Sequence, residues 1–158
     1  MKIVVIEDNI EEVNGYLSIF DFYKWEYERF RTFSEAYTWL AEEQQEVDLF
    51  WVDIMLPWGE KVEDRISEKV SWQRAGLYLM YAIRSVENNI LEEIRTKSNL
   101  PKLPDCYKDV PIIALTKVSV VKEELSAVSK TYPVAKLIGL DTRNLGSFIS
   151  EICGKKGE

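Results

Sequence analysis

Three carboxylates and one hydroxyl in this 158-residue chain fall at the ends of apolar runs, where reactive side chains are free to meet. They are Glu7 and Asp8 after KIVVI, Asp53 near the close of VDLFWVDI, and Thr116 after VPIIAL. Carboxylates gathered at neighbouring positions repel one another. A hard divalent cation that takes oxygen ligands and keeps several waters, Mg²⁺ above all, relieves that repulsion. Such a cation also readies one carboxylate to accept a phosphoryl group, by neutralising charge between two anions. Protein carboxylates act as nucleophiles of this kind and give aspartyl phosphates. A threonine hydroxyl alongside can hydrogen-bond a phosphoryl oxygen. Each residue alone has a plainer reading: Glu7 and Asp8 as a solvated strand end or helix cap, Asp53 as a turn cap, Thr116 as a β-branched strand residue. Four matching strand ends weigh against the plainer reading.

The elements that must position these groups follow from the apolar pattern. Lys2 to Ile6 is a continuous β-branched run, the mark of a strand buried on both faces. Ile10 to Phe22 has helical spacing, with Val13, Leu17 and Phe20 on one face. A second strand is expected within Lys24 to Phe33. A helix capped by Ser34 follows, carrying Ala36, Tyr37, Leu40 and Ala41. Val47 to Ile54 is the third strand, stopped by Pro57, and Val110 to Leu115 is the fourth. Ser119 is placed as the cap of a helix bearing Val120, Val121, Leu125 and Val128. The last strand is placed at Ala135 to Leu140, and a final helix from about Asn144 turns Leu145, Phe148, Ile149 and Ile152 inward. This alternation predicts a doubly wound, five-stranded parallel α/β sheet, whose working residues gather beyond the carboxyl ends of its strands.

The stretch 58–109 is too long for one simple crossover. Val62, Ile66 and Val70 recur every four residues in a segment dense in both charge signs, which predicts a short solvated helix. A main crossover helix is expected from Ala75 and Gly76 through Leu77, Met80, Tyr81 and Ile83, continuing to Ile90, Leu91 and Ile94. Asn99 to Asp105 reads as a proline-punctuated loop. Trp58 and Trp72 flank this expansion, either as packing residues or as anchors for a partner. Tyr78 and Tyr81 read as parts of a packed helix.

The chain carries 20 Lys and Arg against 27 Asp and Glu, for a formal net charge of −7. Nonspecific binding to nucleic acid or to an anionic membrane needs a basic face, so neither is expected as the main task. No apolar run approaches the roughly 20 residues of a membrane span. A strand beginning at Lys2 leaves no secretory leader, and a cytoplasmic location is expected. Cys106 and Cys153 have no metal-like spacing and are expected to be reduced. The absence of histidine removes His-based zinc sites, histidine general bases and phosphohistidine from this chain. One domain over 1–153, expanded around 58–109, and a tail at 154–158 are expected.

IVVIEDN, then VDLFWVDIMLP, then PIIALT resembles the receiver-domain pattern of response regulators, in order and on the expected strands. The resemblance covers nearly the whole chain apart from 58–109. It implies a flavodoxin-like, CheY-like sheet of strand order 2-1-3-4-5 with an expanded crossover between the third and fourth strands. It makes Glu7 and Asp8 the acidic pair that holds the metal, Asp53 the phosphoacceptor, Met55 the donor of a backbone carbonyl to the metal, and Thr116 the switch hydroxyl. Receivers also carry Lys-Pro at the end of the last strand and an aromatic residue three positions earlier. Counting from Thr116 places these on Ile138-Gly139 and Ala135, so both are expected to be missing. Lys117 and Lys136 are candidates to supply the lost charge, with Lys117 preferred; each also reads as an ordinary surface lysine.

The resemblance implies an Mg²⁺-dependent phosphoacceptor rather than an enzyme with a separate substrate. Its donor must be another chain, a sensor histidine kinase or a phosphotransfer protein. Its output would pass through a downstream protein partner, with 58–109 as a candidate surface. The alternative is a pseudo-receiver, the same fold acting as a phosphorylation-independent binding module. A phosphohydrolase of the haloacid-dehalogenase type is a third reading. It wants a second aspartate two residues after the nucleophile, where this chain has Met55.

Overall fold

The computed structural model describes residues 1–62, 64–116, 124, 128, 130–135 and 142–154. Five strands form one parallel sheet: β1 (Lys2–Ile6), β2 (Glu26–Phe30), β3 (Leu49–Asp53), β4 (Ile112–Thr116) and β5 (Thr131–Ala135). Their order is β2-β1-β3-β4-β5, as the resemblance implies. β1 and β3 occupy the interior of the sheet and are covered on both faces, so nearly every residue in them is buried. That is why both read as unbroken apolar runs rather than alternating ones.

Alternate side chains feed two cores. Val4, Ile6, Phe50 and Val52 pack toward α2 (Phe33–Glu43), α4 (Ala75–Ile83) and α5 (Asn89–Ser98). Ile3, Val5, Leu49 and Trp51 face α1 (Ile10–Phe22) and the C-terminal helix α6 (Thr142–Gly154). α1 begins where the sequence places it because Asn9 caps it, its Oδ1 accepting from the amides of Glu11 and Glu12 at 3.0 and 3.3 Å.

Three local expectations are corrected. The cap of α2 is Thr32, not Ser34: Thr32 Oγ1 accepts from Glu35 N at 3.1 Å, and a Glu35 carboxylate oxygen accepts from Arg31 N at 3.1 Å. Ser34 is buried in the first turn, where its hydroxyl ties down the loop after β3. The long crossover helix is two helices, α4 and α5. Ser85 takes a left-handed φ of 55° and Asn88 caps α5, accepting from Ile90 N and Leu91 N at 3.0 Å. The short solvated helix is present as expected, as α3 (Asp64–Lys69), with Ile66 fully buried; a 3-10 turn (Trp72–Arg74) joins it to α4.

The third correction matters most. β5 is Thr131–Ala135, beginning four residues before the expected start at Ala135, and it runs in register with β4 from Ile112↔Thr131 to Thr116↔Ala135. β5 reads TYPVA and contains Pro133. β5 is an edge strand, where a residue without an N–H donor is tolerated. Residues 136–140 lie outside the described residues, as does the helix expected from Ser119 except for the helical Glu124 and the buried Val128. Among the described residues, no helix is long and apolar enough to cross a membrane.

Candidate functional site

The carboxyl ends of β1 and β3 are neighbours in the sheet, with Ile6 beside Val52. Glu7 and Asp8 follow β1 directly, and Asp53 closes β3. Parallel pairing therefore brings three carboxylates to one rim, and ligand atoms from all three lie within 4.8 Å of one another. Glu7 is fully buried, Asp53 is 3% exposed and Asp8 is open to solvent. Glu7 Oε1 accepts from Asn9 N at 3.1 Å, and Asp53 Oδ1 accepts from Met55 N at 3.1 Å.

This crowding has an electrostatic consequence. Burial pushes the Asp53 carboxyl up to about 9, and the charge of Glu7 and a hydrogen bond with it push the same way; the Met55 amide opposes the rise. Without a cation, the pair thus holds a proton at neutral pH. The donor set is all hard oxygen and carries excess negative charge, which fits Mg²⁺.

Two residues not singled out from the sequence shape the site. Gly76, the second residue of α4, donates its N–H to Ile54 O at 3.0 Å. A Cβ on Gly76 would stand 2.7 Å from Ile54 Cα and 2.9 Å from the Asp53 carbonyl carbon, with the carbonyl oxygen closer still. Only glycine permits this contact. Leu56 N also donates to Trp72 O at 3.2 Å, so the expanded crossover is stitched to the segment after β3 at two points. Tyr16 lies beneath the cluster on α1, its ring 4.8 Å from that of Trp51. Burial raises its hydroxyl pKa, and the charges of Glu7 and Asp53 raise it further. Signals for both existed: Gly76 opens an apolar helix, and Tyr16 lies one helical turn beyond Val13.

Thr116 closes β4 beside β3, as expected, but its side chain lies outside what the structure describes. Lys117 and Lys136 lie outside the described residues. The described part of β5 ends at Ala135, which pairs with Thr116; Ile138-Gly139, where counting puts the Lys-Pro of receivers, lies outside the described residues. Within β5, Tyr132 is half-buried, its ring 6.1 Å from that of Phe148 and nearly perpendicular to it. Ala135, the position that counting gives to the aromatic of receivers, pairs with Thr116. The two flanking tryptophans part company. Trp58 is buried, donates to Val70 O at 3.1 Å and stacks near Phe33 and Tyr78, whereas Trp72 is 49% exposed.

No protein-family model and no curated protein sequence matches the chain. Solved structures do. A two-component response regulator from Clostridium difficile superposes with a TM-score of 0.64 at 14% identity, covering 100% of this chain and 99% of that one. The receiver domain of a sensor histidine kinase from Pseudomonas aeruginosa PAO1, solved with a magnesium ion coordinated in its active-site cleft, gives 0.60 at 17% identity and 97% coverage of both. A co-crystal structure of a Saccharomyces cerevisiae histidine phosphotransfer protein with the receiver domain of its downstream response regulator gives 0.64 at 17% identity, covering 100% of this chain and 92% of that one. At such identities the likeness is one of architecture: the chain has the fold of response-regulator receiver domains.

Proposed function

We propose that this chain is a receiver of two-component signalling that takes a phosphoryl group onto Asp53. The observation that carries this reading is the convergence of Glu7, Asp8 and Asp53 on one rim, within 4.8 Å. Glu7, Asp8 and Asp53 would hold Mg²⁺ together with the Met55 carbonyl. The bound cation would neutralise charge between the carboxylate and the incoming phosphoryl group. An Asp53 oxygen forms the new O–P bond as the N–P bond of a phosphohistidine breaks, and the donor imidazole keeps the electron pair and takes up a proton. Because the chain has no histidine, the donor is a separate sensor kinase or phosphotransfer protein. Such a donor is present in the yeast co-crystal, and a magnesium ion in the Pseudomonas receiver. Thr116 would receive a phosphoryl oxygen, and Lys117 is the candidate for its countercharge. Output would pass to a downstream protein by a shift in population between two surface states, from a cytoplasmic location.

One feature of the sequence favours a second reading, a pseudo-receiver that binds partners without phosphorylation: counting from Thr116 places Ile138-Gly139 where receivers carry Lys-Pro. A single experiment separates the two. The protein is incubated with Mg²⁺ and acetyl phosphate, and its intact mass is measured. One base-labile phosphate, lost in Asp53→Asn, supports the acceptor. No adduct despite measurable Mg²⁺ binding supports the pseudo-receiver. Rapid multiple turnover of the donor would mark a phosphohydrolase instead.

A further inference from the structure

A preformed groove lies between α2 and the start of the expanded crossover. Its volume is about 720 Å³. Its floor is aromatic, with the half-buried rings of Phe30 and Trp39 5.2 Å apart. Its rim carries Glu35, Glu42, Glu43 and Glu60 against a single cation, Lys61. None of the four glutamates forms an ion pair among the described residues.

The wall opposite α2 is fixed. Ser34 Oγ donates to Trp58 O at 2.7 Å and accepts from Lys61 N at 3.1 Å, and Ser34 N donates to the same carbonyl at 2.9 Å. Gly59 sits at φ +84°, and a Cβ there would stand 2.6 Å from Thr32 Oγ1. Over Thr38, Glu42 and Lys61 the groove passes into a second hollow of about 290 Å³ beside Tyr37, Leu100 and Pro101. The chain itself shows what the floor accepts: the Lys2 ammonium lies over the Trp39 ring, 5.6 Å from its centroid.

We propose that this groove docks a basic, extended peptide segment of a partner protein. Lysine or arginine side chains would meet the four glutamates, and an apolar side chain would rest on Phe30 and Trp39. The elongated course suits a peptide better than a compact ligand, and a wall held by hydrogen bonds lowers the ordering cost of binding. The inference rests on the groove alone and stands whether or not Asp53 takes up phosphate.

The test is an NMR titration of the ¹⁵N-labelled full chain with a short capped peptide alternating lysine and leucine. Saturable shifts centred on Trp39, Thr38 and Gly59 are expected. The charge reversal Glu42→Lys/Glu43→Lys should weaken binding about tenfold, as should Trp39→Leu, with folding of both variants checked by circular dichroism. Added salt should weaken binding, and the glutamate–leucine counterpart should not bind. Shifts centred elsewhere, unchanged affinity in the charge-reversed variant, or no binding at millimolar peptide would overturn the proposal. So would spermidine binding as tightly as the peptide, which would make the occupant a small polycation. Concentration-dependent self-association lost on Glu42→Lys/Glu43→Lys would make it a second copy of the chain and overturn it equally.

Discussion

Gly76 and Asp53 touch through their backbones: the missing Cβ of the glycine is the space in which the Asp53 carbonyl sits. The start of α4 thereby sets the height of the β3 end above the sheet. Replacing Gly76 by alanine forces one of the two to move. An overpacking cost of about 1–3 kcal/mol is expected, read as a lower urea midpoint with unchanged slope. Mg²⁺ affinity should also fall, because the Asp53 carboxylate and Met55 carbonyl ride on the displaced segment. Full Mg²⁺ affinity in Gly76→Ala would show that the contact serves packing alone.

The raised pKa of Asp53, about 9, predicts an inverted pH dependence for the metal-free protein. An unfolded aspartate titrates near 4, so between about 4 and 9 the folded state binds the extra proton and stability falls as pH rises, by at most about 1.4 kcal/mol per pH unit. Asp53→Asn, which needs no proton, should be more stable than the parent at pH 7 to 8 in EDTA, with the gap closing toward pH 4. Saturating Mg²⁺ should reverse the order at neutral pH. Urea titrations across this range, with and without Mg²⁺, check both halves.

Tyr132 stands on an edge strand against Phe148. If Asp53 is phosphorylated, Tyr132→Ala should change phosphate uptake from acetyl phosphate by no more than about twofold, while shrinking the chemical-shift changes that phosphorylation causes along β5 and α6. Undiminished changes would mean that Tyr132 only fills space.

Arg84 is buried at the end of α4 and donates to Lys130 O at 2.9 Å, the carbonyl just before β5. Burial lowers its pKa to about 10, with Asp109 and Tyr132 acting the other way. Arg84→Met removes a charged donor from the Lys130 carbonyl, which keeps only the Ile112 amide at 3.0 Å. A loss of about 1–3 kcal/mol is expected, together with faster hydrogen exchange in β5.

The architecture and the acidic half of the site were legible because both depend on short-range pattern. KIVVI and LFWVD announce buried parallel strands, and each run ends on the carboxylates that the sheet then brings together. What failed depended on context. Pro133 argues against a strand unless that strand is known to lie at an edge, and β5 begins four residues before the expected Ala135. Ser34 and Thr32 are equally good caps by type; the choice fell to Thr32 because Ser34 was taken up by Trp58 and Lys61. The break between α4 and α5 rests on Ser85 adopting a positive φ, which few serines do. Gly76 mattered through a contact with a residue 23 positions away along the sequence, which no local pattern reveals.

The two outer strands leave the sheet little capacity to polymerise. β2 presents exposed Glu26 and Glu28 along its length, so an approaching edge of the same kind would meet like charge. At the opposite edge, Pro133 deprives β5 of one backbone donor in its middle. Both are devices by which natural sheets resist cross-β growth. Aggregation from the native state by strand addition is therefore disfavoured at either side. A chain whose interior strands are among its most apolar segments can be concentrated without its sheet serving as a template.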